Sequence, residues 1–241
     1  MRLDNYLVEI KLFDSRTKAK QAIERGEVYI NGKLIDKCSF NVDSVNEKDV
    51  EIRCLKSFVS LGGYKLDKAL TDFNLSVKDL IVADIGASTG GFTDCLLQCG
   101  AKKVYAVDLN DKLLHVTLLD NKKVHPIIKN AKELVCEDFD DELDLIVADL
   151  SFISVTHVID VFGKLLKKGK KLIILIKPQF ETGKKMRFKN GIIRDKKIHQ
   201  EVCDKVIYFG ENSGFTNVQL TTAPINDEKN TEFLILFTKN Q

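Results

Sequence analysis

An α/β fold built on a mostly parallel sheet, preceded by a small α+β domain, is the fold class that this sequence predicts. Three observations predict it. From Lys65 onward, short aliphatic runs alternate with segments of helical period. Residues 1–55 read as helix, helix, hairpin. The chain has 241 residues, more than one typical domain of roughly 100 to 150, so a small unit and a medium one are expected. With 44% hydrophobic and 30% charged residues it can bury a core and stay dissolved, which excludes a disordered chain.

In the front segment, Leu3, Leu7 and Ile10 recur at helical spacing. Ser15 is a plausible N-cap for a second helix carrying Ala19, Ala22 and Ile23, and Gly26 suits its end. Val28-Tyr29-Ile30 and Lys33-Leu34-Ile35 then flank Asn31-Gly32, the dipeptide that best accepts the positive φ angles of a tight hairpin turn. This order, with Ser15-Arg16-Thr17-Lys18-Ala19 and Gly26-Glu27-Val28-Tyr29-Ile30-Asn31-Gly32, resembles the S4 domain, a module that binds structured RNA. The resemblance implies phosphate contacts from Lys11, Arg16, Lys18, Lys20 and Arg25. Because residues 1–55 hold ten basic and ten acidic side chains, any RNA-facing surface there must be one-sided. Residues 56–63 serve as a linker and residues 64–241 as the second domain.

Within that second domain Leu80 to Ile85, Lys103 to Asp108, Leu143 to Asp149 and Lys171 to Lys177 are apolar runs ending in polar residues, the pattern of strands buried on both faces. Val218 to Thr221 and Phe233 to Thr238 close the chain and suit an antiparallel pair at one edge. Charge is unevenly spread. The chain as a whole carries +2, but between Gly163 and Gln200 thirteen Lys or Arg face two acids, Glu181 and Asp195. That block, with Lys184, Lys185 and Arg187 in it, reads as a phosphate-facing surface, a solvated face being the alternative.

Chemistry concentrates at strand ends. Asp84-Ile85-Gly86-Ala87-Ser88-Thr89-Gly90-Gly91 follows a strand and leads into a helix at Phe92, and its glycines let backbone approach a ligand. Without a lysine in the Walker position it is no P-loop, and its spacing differs from GxGxxG. Asp108 ends the next strand, 108 − 84 = 24 residues on, where a carboxylate can accept hydrogen bonds from a ribose diol. Adenosyl and nicotinamide cofactors both satisfy this pattern. Asp149 and Lys177 end two later strands. Taken singly, Lys177 reads as a snorkelling residue at a strand edge; taken with Asp149, Lys65 and Glu232 it reads as chemistry.

The stretches Gly86 to Thr93, Ala148-Asp149-Leu150-Ser151-Phe152-Ile153-Ser154 and Lys177-Pro178-Gln179-Phe180-Glu181 resemble the TlyA family of ribosomal RNA methyltransferases, once named haemolysins, over the whole chain. The resemblance implies a Rossmann-like, FtsJ-like fold and transfer of a methyl group from S-adenosylmethionine to a cytidine 2′-hydroxyl of ribosomal RNA. It implies a Lys-Asp-Lys-Glu tetrad at Lys65, Asp149, Lys177 and Glu232. The cofactor would be held by Asp84, Gly86, Ala87, Ser88, Thr89, Gly90, Gly91, Phe92, Asp108 and Asp149. Lysine is a poor base near pH 7 at its reference pKa of about 10.4, but burial and a neighbouring cation lower it. Lys65 would be that cation for Lys177, with Asp149 and Glu232 orienting the pair. Family members often read Ser-Arg-Gly-Gly where this chain has Ser60-Leu61-Gly62-Gly63, and the end at Gln241 resembles the shorter form associated with large-subunit RNA.

The partner expected is therefore the ribosome, with no metal and no membrane. Cys38, Cys54, Cys95, Cys99, Cys136 and Cys203 form no CxxC pair and read as reduced thiols; Cys95 and Cys99 lie four apart on a helix without a nearby histidine. The longest aliphatic run, Leu172 to Ile176, is far too short to span a bilayer, and the N-terminus has no signal-peptide core, so a cytoplasmic protein is expected. Three readings compete. A nicotinamide oxidoreductase leaves the S4-like front unexplained, a non-catalytic RNA-binding or assembly protein leaves the tetrad a coincidence, and a pore-forming haemolysin lacks a membrane-spanning run.

Overall fold

The computed structural model describes residues 1–24, 26–52, 56–110, 113–182, 191–224 and 230–240. The chain divides into two compact units, Met1–Ser57 and Phe58–Gln241. In the first, helices α1 (Leu3–Glu9) and α2 (Arg16–Glu24) accompany a three-stranded antiparallel sheet of β1 (Val28–Ile30), β2 (Lys33–Leu34) and β3 (Val50–Ile52), in the order β2-β1-β3. Leu3, Leu7, Ala19, Ala22, Ile23, Val28 and Ile30 form its core. The Ser15 hydroxyl accepts the Lys18 amide, as a helix N-cap should. Asn31 and Gly32 both take positive φ, 50° and 75°, as a type I′ turn requires and as these two residues tolerate best. Sequence reading missed β3, because Val50-Glu51-Ile52 is too short to show a period of its own.

The second unit begins earlier than its sequence pattern suggests. Phe58 is buried in its core, and α3 (Leu61–Asp72) already includes Leu61, Gly62 and Gly63, which had been assigned to the linker. The glycines are used there: a Cβ on Gly63 would lie 2.3 Å from the Phe58 ring. A seven-stranded sheet follows, made of β4 (Ile81–Ile85), β5 (Lys103–Asp108), β6 (Val124–Ile128), β7 (Leu145–Ala148), β8 (Lys171–Ile176), β9 (Phe215–Thr222) and β10 (Phe233–Lys239). Their order is β6-β5-β4-β7-β8-β10-β9; the first five are mutually parallel, and β10 runs antiparallel to both its neighbours.

Successive residues of a strand face opposite sides, and both sides are covered. Val82, Leu145, Val147, Ile173 and Leu175 pack with Leu66, Ala69 and Leu70 of α3 and with Phe92, Cys95 and Leu96 of α4 (Gly91–Gln98). Ala83, Ile85, Ile146, Ala148 and Ile174 pack with Ile159 and Phe162 of α6 (Ile159–Leu165) and with Val202, Cys203 and Val206 of α8 (Lys196–Asn212). Two shorter helices, α5 (Val116–Leu119) and α7 (Pro178–Glu181), lie beyond strand ends. Covering on both faces explains why the central strands are continuous apolar runs. β6 escaped detection because it contains Pro126 and a mixed pattern; as an edge strand paired only with β5, it tolerates the missing amide.

The topology fixes where a ligand site can lie. From β4 the chain proceeds outward to β5 and β6, then returns to place β7 on the other side of β4. Such a reversal opens a crevice at the carboxyl ends of β4 and β7.

Candidate active site

Gly86 follows β4 at this crevice, and Asp149 follows β7. Gly86 has φ +84°, and a Cβ on it would lie 2.6 Å from the Asp149 carbonyl oxygen, so only glycine lets the two loops approach this closely. The Gly86 and Ala87 amides both donate to the Val107 carbonyl, at 2.8 and 3.1 Å, and the Asp149 amide donates to Ile85 O at 3.0 Å. Thr89 O accepts from His115 N, and Gly90, with φ +92°, is the N-cap from which α4 starts at Gly91, with Phe92 buried behind the loop.

Two carboxylates frame the loop. Asp108 accepts from the Ser88 amide at 2.9 Å and from Leu109 N at 2.7 Å, tying the end of β5 to the glycine turn. Asp84 is fully buried; its Oδ2 accepts from the Thr93 hydroxyl at 2.6 Å, while Oδ1 has no hydrogen-bond partner among the described residues. Burial pushes its pKa up to about 7. The Thr93 hydrogen bond pulls the other way, and the charges of Asp149 and Asp108 add to the rise.

The four residues of the expected tetrad form two ion pairs. Lys177 Nζ lies 2.6 Å from Asp149 Oδ1 and donates to Ser151 Oγ at 2.7 Å. Lys65 Nζ, from α3, lies 2.5 Å from Glu232 Oε2. Phe233 is paired with Ile176, so Glu232 and Lys177 leave their antiparallel strands side by side. Each lysine thus has its own carboxylate, Asp149 for Lys177 and Glu232 for Lys65. Ser151 was missed, since nothing in its spacing marks it.

Aromatic side chains stand beside these pairs. Phe152 is 87% exposed, adopts φ +68°, which is strained for a non-glycine residue, and its ring centroid is 5.4 Å from that of Phe180. An apolar ring so exposed suits a flat, stackable partner.

The basic residues distribute differently from the expectation. Lys167 pairs with Glu142 at 2.5 Å and Lys170 with Asp144 at 2.7 Å, both near the amino end of β8, while Lys177 stands at its carboxyl end, about 20 Å away for six extended residues. Among the described residues, the block between Gly163 and Gln200 is therefore split between the two ends of β8. Lys184, Lys185 and Arg187 lie outside the described residues, as do Arg25 and Cys54. In the first unit Lys11 is exposed, Lys18 pairs with Asp14 and Lys20 with Glu24. Arg16 pairs with Asp4 at 3.0 Å, and Asp4 also takes Arg2 at 2.9 Å. Burial favours the neutral form of Asp4, but the two guanidiniums outweigh it and hold the carboxyl below its ordinary range. Arg2, unnoticed in the sequence, thereby joins Arg16 as a fixed cation with its side chain about half exposed.

Cys95 and Cys99 have a carboxylate neighbour rather than a histidine. Their sulfurs and an Asp67 carboxylate oxygen lie within 4.8 Å of one another, with the Cys99 thiol donating to Asp67 at 3.9 Å. Among the described residues no helix is long and apolar enough to cross a membrane.

Comparison with known proteins gives the following. Residues 58–240 match the FtsJ-like methyltransferase family, and residues 1–48 match the S4 domain. Hemolysin A of Brachyspira hyodysenteriae is 40% identical over 240 residues, covering 98% of this chain and 99% of that protein. The 23S rRNA (cytidine-2'-O)-methyltransferase TlyA of Campylobacter jejuni subsp. jejuni serotype O:23/36 (strain 81-176) is 30% identical over 265 residues, covering 100% of both. A solved structure named for a hemolysin from Streptococcus thermophilus superposes with a TM-score of 0.73 at 37% identity, over 100% of this chain and 89% of that one.

Proposed function

The chain belongs to the TlyA family of S4-domain, FtsJ-like methyltransferases, and on that premise we propose that it transfers a methyl group from S-adenosylmethionine to the 2′-hydroxyl of a cytidine in ribosomal RNA, in the cytoplasm. The observation that carries this reading is the convergence of the Lys177–Asp149 and Lys65–Glu232 pairs at the carboxyl edge of the sheet, beside the glycine turn. The Campylobacter relative's name specifies large-subunit RNA, and we take that subunit as the partner.

The residues present fit the cofactor. The turn from Gly86 to Phe92 leaves backbone open to a ligand, Asp108 stands where a ribose diol would be read, and Asp149 supplies negative charge beside the turn for a cationic ligand, while Asp84 braces the start of α4 through Thr93. S-adenosylmethionine, when bound, supplies an electrophilic methyl group on a sulfonium. Everything else falls to the chain. Asp149 and Ser151 aim the Lys177 nitrogen, and Lys177, reacting as the neutral amine, accepts the proton that leaves the 2′-hydroxyl and becomes the ammonium paired with Asp149. Lys65 and Glu232 hold the sugar side of the site and compensate each other's charge. Phe152 offers its exposed face to a base, since aromatic stacking on unpaired bases is the usual way RNA is gripped at a loop. In-line transfer depends on orientation, and positioning of this kind supplies several kcal/mol of the barrier.

The test is incubation of the protein with labelled S-adenosylmethionine and, separately, large subunits, small subunits and protein-free ribosomal RNA lacking the modification. Label should be found in 2′-O-methylcytidine from the large-subunit RNA. Label in small-subunit RNA alone would overturn the partner assignment, and binding of RNA without any transfer would favour a non-catalytic assembly role.

A further inference from the structure

The carboxylate of Glu181 is buried, its side chain 1% exposed, and it touches none of the residues assigned to chemistry above. Oε1 accepts the Val155 amide at 2.9 Å and Oε2 accepts the Ser154 hydroxyl at 2.5 Å. Lys205 of α8 donates to the Glu181 carbonyl at 2.9 Å and lies 3.7 Å from Oε2. A charged group is costly to bury unless its oxygens are hydrogen-bonded, and an apolar side chain would fill the same space without that cost. The carboxylate therefore calls for an explanation beyond packing.

Its partners supply one. The loop from Asp149 to Ser154 is anchored at one end by the Asp149 amide on Ile85 O and at the other by Ser154 and Val155 on Glu181. Between the anchors lie Asp149 and Ser151, which both hold Lys177, and Phe152 in its strained left-handed conformation. Such a conformation costs about 1–3 kcal/mol and persists only where the surroundings over-determine it. Glu181 ends α7, whose N-cap is Lys177 and which carries Phe180, the ring that meets Phe152. One carboxylate thus clamps the loop bearing Asp149, Ser151 and Phe152 to the segment bearing Lys177.

We propose that Glu181 is a positioning residue that holds the Asp149–Ser154 loop in register with Lys177 and keeps Phe152 presented to the substrate base. It acts through Ser154 and Val155 and takes no part in proton or methyl movement. The proposal rests on the methyltransferase reading for its rate measurement only.

The experiment uses the full chain and the Glu181→Ala, Glu181→Gln and Ser154→Ala variants, assayed where circular dichroism shows each folded. A loss of placement on the ångström scale costs about a hundred-fold in rate. Glu181→Ala should therefore lower single-turnover methyl transfer by that order while S-adenosylmethionine affinity stays within about three-fold, because the Asp149 end of the loop, which meets the glycine turn, keeps its own anchor on Ile85 O. Glu181→Gln, which can still accept the Val155 amide and bond Ser154, should recover most of the rate. Ser154→Ala removes the hydroxyl half of the clamp and leaves the Val155 amide on Oε1, without altering a buried charge, so it stands in for Glu181→Ala should that variant not fold, and it should be slowed in the same direction. The chain contains no tryptophan, so Phe152→Trp places a single reporter in the loop, and its fluorescence anisotropy should fall when Glu181→Ala or Ser154→Ala is added. Wild-type rate in folded Glu181→Ala or Ser154→Ala, loss of cofactor binding in parallel with rate, or unchanged anisotropy would each overturn the proposal. The anisotropy reads the loop whether or not any RNA is methylated, which separates failure of the clamp from failure of the proposed reaction.

Discussion

Lys177 is the residue on which the proposed chemistry turns. Arginine in its place keeps the positive charge and can still pair with Asp149, but a guanidinium with a pKa above about 12 does not give up its proton. Lys177→Arg is expected to retain S-adenosylmethionine affinity and to lose at least about a hundred-fold in single-turnover rate, the lower end of general-base contributions. Substantial activity in that variant would leave Lys177 an electrostatic role. Asp84 gives a second prediction at this scale, with a definite sign. Its pKa is raised to about 7 in the folded chain against about 3.9 unfolded. Between those values the native state keeps a proton that the unfolded chain has released, so this group's contribution to stability is complete below about pH 4 and is lost as pH rises through about 7. Asp84→Asn removes the dependence. Thermal melts of the variant should change less with pH across that window than those of the wild type, with its relative stability improving toward pH 8; parallel curves would mean that Asp84 does not titrate there.

At the scale of elements, the turn between β4 and α4 and the loop after β7 are built against each other. Gly86 carries the contact, having positive φ and no room for a methyl beside the Asp149 carbonyl. Gly86→Ala is expected to destabilise the second unit by at least about 1 kcal/mol. For a unit of this size that lowers the melting temperature by roughly 2–4 °C per kcal/mol. The same change should weaken cofactor binding, because strain is relieved by moving one of the two loops that frame the crevice. Calorimetry and thermal melts together check this; a stable variant with normal affinity would show that the loops have more freedom than their contact suggests. Asp108 is a separate case. Its carboxylate holds the Ser88 amide and is the proposed acceptor for the ribose diol, so Asp108→Ala should lower cofactor affinity about ten-fold or more, through both the diol and the turn.

For the molecule as a whole, the division at Ser57 separates the proposed labours. The glycine turn, Asp108 and the tetrad all belong to residues 58–241, so a chain consisting of those residues should bind S-adenosylmethionine as the full protein does. It should bind ribosomal RNA more weakly and with a shallower dependence on salt, since the slope counts neutralised phosphates and the first unit's Arg2, Lys11 and Arg16 are gone. The change should be modest, because Lys18 and Lys20 are already matched by Asp14 and Glu24. A filter-binding series over salt concentration measures it, and an identical slope in the two proteins would remove the first unit from RNA binding.

Sequence alone determined whatever local chemistry dictates. Asn31-Gly32 specified its hairpin turn, the doubly covered strands β4, β5, β7 and β8 announced themselves as apolar runs, and Gly86, Asp108, Asp149 and Lys177 could be picked out because strand ends of an α/β sheet are where ligands sit. Features that depend on a neighbour distant in the chain stayed hidden. The short strand β3 and the proline-bearing edge strand β6 exist because β1 and β5 offer them partners. The basic stretch from Gly163 to Gln200 looked like one surface until β8 set Lys167 and Lys170 at one of its ends and Lys177 at the other, and Glu142 and Asp144 matched the first two. Which carboxylate each tetrad lysine takes, the Ser151 contact, the Arg2–Asp4–Arg16 cluster and the Glu181 clamp were likewise decided by tertiary structure. Each joins side chains on separate segments, and an ion pair or buried hydrogen bond forms only where the backbone delivers both partners to within about 3 Å, a condition that composition and spacing do not encode.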